Sequence, residues 1–192
     1  VDCTGHGVPG AFMSLVGANS LDIAIQGKDT NTPAEILNEL NRITSDSLNK
    51  TEGNSNVRDG MDLAMVSFSK DFKKMEYAGA NNPLYQIRGG EVIQTKADKF
   101  AIGSFKHGEM HYTNHTVEIE KGDVIYLFSD GYADQFGGVK GKKFMYRQFR
   151  DTLLEINQLP VEEQCEILNS RIENWRGNYE QVDDILIIGV RV

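Results

Sequence analysis

Two short apolar runs constrain this chain more than anything else in it. Val124 to Phe128 reads VIYLF and Ile185 to Val190 reads ILIIGV, and neither holds a charged residue. Strands apolar on both faces belong inside a sheet, so both runs are read as buried strands. Each has carboxylates at one end: the first runs into Ser129-Asp130-Gly131, and the second follows Asp183 and Asp184. If the two strands lie antiparallel and side by side, these carboxylates meet at one end of the sheet. Asp2, which stands before the Gly-dense turn of VDCTGHGVPGAF, joins them if the strand expected to carry it, missing from this sequence, enters the same sheet. Converging carboxylates repel, and stay partly protonated unless a cation holds them. An all-oxygen donor set with no Cys or His pattern suits a hard cation such as Mg²⁺ or Mn²⁺. Taken singly, an Asp beside a Gly at a strand end is a turn residue. The joint pattern is what points to a metal.

The other elements frame these two strands. Pro9 suits a first helical turn, and Phe12, Leu15, Val16, Asn19 and Ile23 follow at helical spacing, which predicts a helix over roughly 9–26. Thr32-Pro33-Ala34-Glu35 has the spacing of a capping box and opens a second helix to about residue 49. From Met61 the period changes to two. Leu63 and Met65 face one way, Ala64, Val66 and Phe68 the other, which predicts a central strand. Further strands are read near 73–78, 84–88, 91–95 and 111–119, with Gly89-Gly90 as a hairpin turn. Two late helices are marked by Met145, Phe149, Leu153 and Ile156, then by Val161, Cys165, Leu168, Ile172 and Trp175, the second ending at Gly177. Helices, antiparallel strands, helices and a last strand make an α+β layered sandwich in one domain over residues 1–192.

Composition removes several classes. The net charge of −8 argues against nucleic acid as the partner. Cys3 and Cys165 match no zinc or redox spacing, and such sparse thiols suit a reducing cytoplasm. No apolar run approaches the ~20 residues of a membrane span. The missing Met and the abrupt start suggest a piece of a longer chain.

DCTGHGVPGA, YAGANNP, FSDGYAD and DDILII, in this order, resemble the metal-dependent (PPM-type) serine/threonine protein phosphatases of the bacterial SpoIIE/RsbU-like branch. The resemblance implies a four-layer α-β-β-α sandwich of mostly antiparallel sheets holding two ions, Mn²⁺ or Mg²⁺. It assigns metal binding to Asp2, the Cys3 backbone carbonyl, Asp130 and Asp183, the last preferred over Asp184 by the related eukaryotic pattern. Asp2, Asp130 and Asp183 are thereby the catalytic set. A further family ligand, in a Gly-Asp motif on an N-terminal hairpin, has no counterpart here, so the chain is expected to lack those strands and to have little activity by itself.

The implied reaction is attack of a metal-bridging water on phosphoserine or phosphothreonine. The implied substrate is a phosphorylated STAS-like anti-sigma-factor antagonist. Sensor or receiver modules on the same full-length chain, homo-oligomers, and a cytoplasmic site, with the output domain of a membrane-bound sensor as the alternative setting, complete the expectation. The alternatives are a catalytically silent signalling module of the same fold and a small-molecule phosphoesterase.

Weaker signals remain. Lys140, Lys142 and Lys143 in GGVKGKKF are either a solvated loop or a substrate-binding, phosphate-steering flap. His6 is read as structural or as a support to the metal site, with a direct metal or general-acid role as the alternative, and the four-residue spacing of His107, His111 and His115 as coincidence. Asp59-Gly60-Met61-Asp62 is a turn or a carboxylate close to the metal edge, and Asn81 and Asn82 shape a loop close to the site.

Overall fold

A computed structural model describes residues 1–3, 7–27, 32–51, 60–104 and 110–192. They fall into two units, Val1–Leu84 with Lys96–Ile119, and Tyr85–Thr95 with Glu120–Val192. Each is a layer of helices on an antiparallel sheet. His6, Asp59 and His107 lie outside the described residues.

The first unit holds β1 (Asp2–Cys3), α1 (Gly7–Gln26), α2 (Pro33–Thr51), β2 (Met61–Phe68), β3 (Lys74–Ala80) and β6 (His115–Glu118). Its sheet runs β1-β2-β3-β6, so β2 is central, as its two apolar faces require. The capping box forms in both directions: Thr32 N–H donates to Glu35 Oε2 at 2.9 Å, and Glu35 N–H to Thr32 Oγ1 at 3.3 Å.

Helix α1 inverts its expected face. Gly10, Met13, Gly17, Ser20 and Ala24 are buried, while Phe12, Leu15 and Ile23 are exposed. Small residues let the backbone approach closely: a Cβ on Gly17 would stand 2.2 Å from Met61 Sδ. By length and composition α1 could cross a membrane. The sequence holds no matching unbroken apolar run because Gly, Ala and Ser carry much of that length.

The expected strand over 111–119 begins only at His115. The residues before it bond to side chains instead: Tyr112 N–H to Asn38 Oδ1 and Thr113 N–H to Asp98 Oδ2. His115 stacks on Tyr77, with ring centroids 5.8 Å apart, and neither it nor His111 is helical.

The second unit holds β4 (Leu84–Arg88), β5 (Glu91–Thr95), β7 (Val124–Phe128), α3 (Gly131–Asp134), β8 (Phe136–Gly137), β9 (Lys142–Lys143), α4 (Met145–Ile156), α5 (Val161–Arg176) and β10 (Ile187–Arg191). Gly89 and Gly90 both take positive φ (57° and 83°), as the two-residue β4–β5 hairpin demands. The sheet runs β10-β7-β4-β5. Tyr85, Tyr126, Phe128, Tyr132, Phe149 and Leu153 form the heart of its core.

Strands β7 and β10 are antiparallel neighbours, with Phe128 opposite Ile187. The second apolar run is nevertheless not buried. It becomes a strand only at Ile187 and occupies the sheet edge, where Ile188 is 46% and Val190 36% exposed. On α5, Leu168 and Ile172 are buried, whereas Cys165 and Val161 are exposed.

The N-terminal end of β7 is fixed by a buried carboxylate. Asp123, 2% exposed, accepts bonds from Gln86 Nε2 (2.7 Å), Arg88 Nε (3.0 Å), Arg88 Nη2 (2.7 Å) and the Glu120 N–H (2.8 Å). Burial opposes its charge, but the Arg88, Glu120 and Gln86 donors outweigh that and hold its carboxyl below the usual carboxylate range.

Candidate metal centre

The opposite end of β7 leads to Asp130. After Phe128 the chain leaves the sheet through Ser129-Asp130-Gly131 and turns into α3, where the Asp134 N–H donates to the Asp130 carbonyl at 2.9 Å. The segment entering β10 runs alongside. Ser129 N–H donates to the Leu186 carbonyl at 3.0 Å, extending the β7–β10 pairing past Ile187. The Ser129 hydroxyl bridges the same gap twice, donating to the Asp184 carbonyl at 2.8 Å and accepting from the Leu186 N–H at 3.0 Å.

Gly131 is there because nothing larger fits. A Cβ at this position would stand 2.4 Å from the Asp184 carbonyl oxygen and 3.4 Å from the Asp183 carbonyl carbon. The three letters S-D-G therefore divide the labour: Ser129 ties the two segments, Asp130 presents a carboxylate, and Gly131 lets the Asp183-Asp184 backbone come close.

The result is a carboxylate pair. An oxygen of Asp130 and an oxygen of Asp183 lie within 4.8 Å of each other. Two unit charges at that separation repel by about 1 kcal/mol in a water-like medium and by about 3 kcal/mol at the effective dielectric of a protein. A divalent cation would turn this repulsion into attraction, and hard oxygen donors are what Mn²⁺ and Mg²⁺ take. The donor set thus fits such an ion. Asp183 is the half of the acidic pair whose carboxylate is aimed at Asp130; its Oδ1 also accepts from the Asp184 N–H at 2.8 Å. Asp184 contributes its backbone carbonyl to Ser129.

Asp2 and Cys3 lie on β1, in the sheet of the first unit and not in the sheet of β7 and β10. Asp2 stands directly opposite Asp62, and Cys3 opposite Met61. Like charges opposite each other across a ladder are unfavourable. Asp62 is the carboxylate of the Asp59-Gly60-Met61-Asp62 stretch that the structure describes, and it belongs to a strand, not a turn. Burial raises its carboxyl above the usual range, and a 2.7 Å bond from Asn81 Nδ2 partly opposes that. Asn81 adopts φ 60°, which Asn tolerates, so the YAGANNP turn delivers a donor to the strand that pairs with Asp2.

The three lysines do not form one free loop. Lys142 and Lys143 are β9, paired with Phe136 and Gly137 of β8. Lys143 Nζ binds Asp134 Oδ2 at 2.7 Å and lies 5.9 Å from the Phe136 ring centroid. Lys140 and Lys142 are exposed. Asp134, four residues beyond Asp130, thus occupies Lys143 and ties the hairpin to α3.

Sequence reasoning overlooked Ser129 and Gln135. Gln135 is fully buried, and its amide donates to the Glu180 carbonyl at 2.9 Å and the Phe136 carbonyl at 3.0 Å. Its signal was faint: one uncharged polar residue directly after the FSDGYAD motif.

A family model described as Stage II sporulation protein E (SpoIIE) matches residues 1–192. The chain belongs to the SpoIIE family. Solved structures agree with that placement. The SiaA-PP2C domain of Pseudomonas aeruginosa is 33% identical, with a TM-score of 0.88 over 99% of this chain and 73% of its own. The PP2C phosphatase domain of SpoIIE from Bacillus subtilis, with a fragment of its regulatory domain, is 17% identical, with a TM-score of 0.68 over 98% of this chain and 50% of its own. The catalytic domain of the serine/threonine protein phosphatase PstP, in complex with two manganese ions, is 19% identical, with a TM-score of 0.65 over 97% of this chain and 83% of its own. No curated protein sequence matches the chain. The fold of this SpoIIE-family chain is that of the PP2C-type (PPM) phosphatases, mixed helix and antiparallel sheet, as the motifs implied.

Proposed function

We propose that this chain forms part of the catalytic domain of a metal-dependent protein phosphatase acting on phosphoserine or phosphothreonine of a bacterial signalling protein. The observation that carries the reading is the Asp130–Asp183 carboxylate pair, held at adjoining chain segments in a SpoIIE-family fold. The motif match adds Asp2 and the Cys3 carbonyl to the donor set. The two manganese ions of PstP favour Mn²⁺, with Mg²⁺ as the alternative.

Bound divalent ions supply an activated water and positive charge for the phosphoryl oxygens. The chain's own part is to hold the donors. Asp130 is fixed between a strand end and the first turn of α3, and Asp183 is held against it through the Ser129 hydroxyl and the close approach at Gly131. Lys140 and Lys142, exposed on the hairpin beyond α3, are placed to attract an acidic phosphoprotein; Lys143 anchors that hairpin through Asp134. The substrate in this reading is a STAS-like antagonist of an anti-sigma factor. The domain works in the cytoplasm under sensor or receiver modules of a longer chain, and homo-oligomers are part of the same picture.

The test is phosphatase turnover of the purified full-length protein on a phosphoserine protein and on an aryl phosphate. Activity should require Mn²⁺ or Mg²⁺ and vanish in chelator. Asp130→Asn should lower turnover by at least ~10²-fold while keeping the fold. Activity that survives both chelation and this substitution would rule the mechanism out.

A further inference from the structure

Asp183 sits in an awkward place for a metal donor. It lies on a bend in an irregular stretch between α5 and β10, and the side chains of Glu180, Gln181, Val182, Asp183 and Asp184 are all exposed. Packing of its neighbours therefore does little to hold its carboxylate. Two buried side chains supply what packing does not. At one end of the stretch, Gln135 Nε2 holds the Glu180 carbonyl at 2.9 Å; at the other, Ser129 Oγ holds the Asp184 carbonyl at 2.8 Å. Between them Gln181 Nε2 donates to the Asp183 carbonyl at 2.8 Å.

Both anchors are themselves immobilised. Ser129 is 5% exposed, and its N–H and hydroxyl both bond to Leu186. Gln135 is 0% exposed, and its backbone carbonyl accepts from Trp175 Nε1 at 3.1 Å and the Phe144 N–H at 3.0 Å. They also flank Asp130 in sequence, one residue before it and five after. The stretch that presents Asp130 is thus the stretch that grips the Asp183 segment at both ends.

We propose that Ser129 and Gln135 are positioning residues that jointly set the Asp183 carboxylate against Asp130 and so set the affinity of the cation site. The inference rests on the reading of Asp130 and Asp183 as cation donors. Partners that orient a metal ligand are typically worth about 10–100-fold in affinity. The two anchors should each fall in that range, acting through the Asp184 and Glu180 carbonyls.

The experiment is Mn²⁺ titration of the chelator-treated, full-length protein by calorimetry, with thermal unfolding in chelator recorded for every variant. Ser129→Ala and Gln135→Met should each raise the Mn²⁺ Kd by about 10-fold or more. Ser129→Thr, which keeps the hydroxyl, should stay within a few-fold of the parent. Gln135→Asn, which keeps the amide but shortens its reach, should behave like Gln135→Met, and it serves if the Met variant does not fold. A residue that merely stabilises the fold would lower the unfolding temperature and leave Kd alone; that result, for both residues, overturns the proposal. Asp130→Asn separates the two levels. Parental Mn²⁺ affinity in Asp130→Asn would sink the metal reading itself. Lost affinity there, with parental affinity in Ser129→Ala and Gln135→Met, would sink only the role given to the anchors.

Discussion

Replacing Gly131 by Ala should separate placement from stability. The added Cβ would stand 2.4 Å from the Asp184 carbonyl oxygen, 3.0 Å from its carbon and 3.4 Å from the Asp183 carbonyl carbon. An ordinary C···O contact is about 3.3 Å. The Asp183-Asp184 backbone must therefore retreat by about 1 Å, or α3 must shift by as much. Overpacking of this size costs about 1–3 kcal/mol. Gly131 opens a helix of four residues, so helix propensity returns little of this, and the net loss in stability should stay at about 1–3 kcal/mol. The functional loss should be larger, because a ~1 Å misplacement of a reacting constellation can cost about 10²-fold. Urea unfolding in chelator reads the first quantity, and metal-dependent kcat/KM on an aryl phosphate reads the second. A folded Gly131→Ala protein with parental turnover would refute the reasoning. So would a stability loss large enough to account for the lost turnover by unfolding alone.

Asp123 should govern acid stability. Its carboxyl is held below the usual range by Arg88, Glu120 and Gln86 donors, so its contribution is complete above the ordinary carboxylate pKa and is lost as pH falls through the depressed folded value. Asp123→Asn leaves the Arg88 guanidinium without this buried partner. Arg88 keeps its pair with Glu120 at 2.8 Å, so the change should cost about 1–3 kcal/mol at neutral pH and flatten the acid limb of denaturant-derived stability against pH. An acid limb as steep as the parent's would contradict this. For the hairpin, Lys140→Ala with Lys142→Ala should raise KM for a phosphoprotein at low salt, leave aryl phosphate hydrolysis unchanged, and lose its effect as salt screens exposed charges beyond ~10 Å. Equal KM for variant and parent would return both lysines to plain solvated surface.

The legible parts of the sequence were those where local chemistry decides the outcome. The Thr32–Glu35 capping box, the Gly89-Gly90 hairpin and the two-sided apolar strand at Met61 each form as read, because each is specified by residues within a few positions. The adjacency of β7 and β10 was also inferable from two apolar runs with carboxylates at complementary ends. The misreadings share a cause: burial depends on partners distant in sequence. The run at Ile185 looked like a buried strand, but among the described residues only its β7 side is paired. Helix α1 showed its large apolar residues at helical spacing, yet the small face is the one that packs, since Gly17 must clear Met61. Asp130 and Asp183 could be named from their motifs. Ser129 and Gln135 could not be given roles, because each acts on carbonyls some fifty residues away, and backbone carbonyls leave no trace in side-chain patterns.

The central claim is that Asp130 and Asp183 are the cation's donors on the β7–β10 side, with Asp184 serving through its backbone alone. Calorimetric titration of the chelator-treated protein with Mn²⁺ tests it most directly, comparing Asp183→Asn with Asp184→Asn. The account predicts that Asp183→Asn weakens or abolishes Mn²⁺ binding as Asp130→Asn does. Asp184→Asn, whose carbonyl still meets Ser129, should bind as the parent does. Intact binding in Asp183→Asn, with loss in Asp184→Asn, would contradict it.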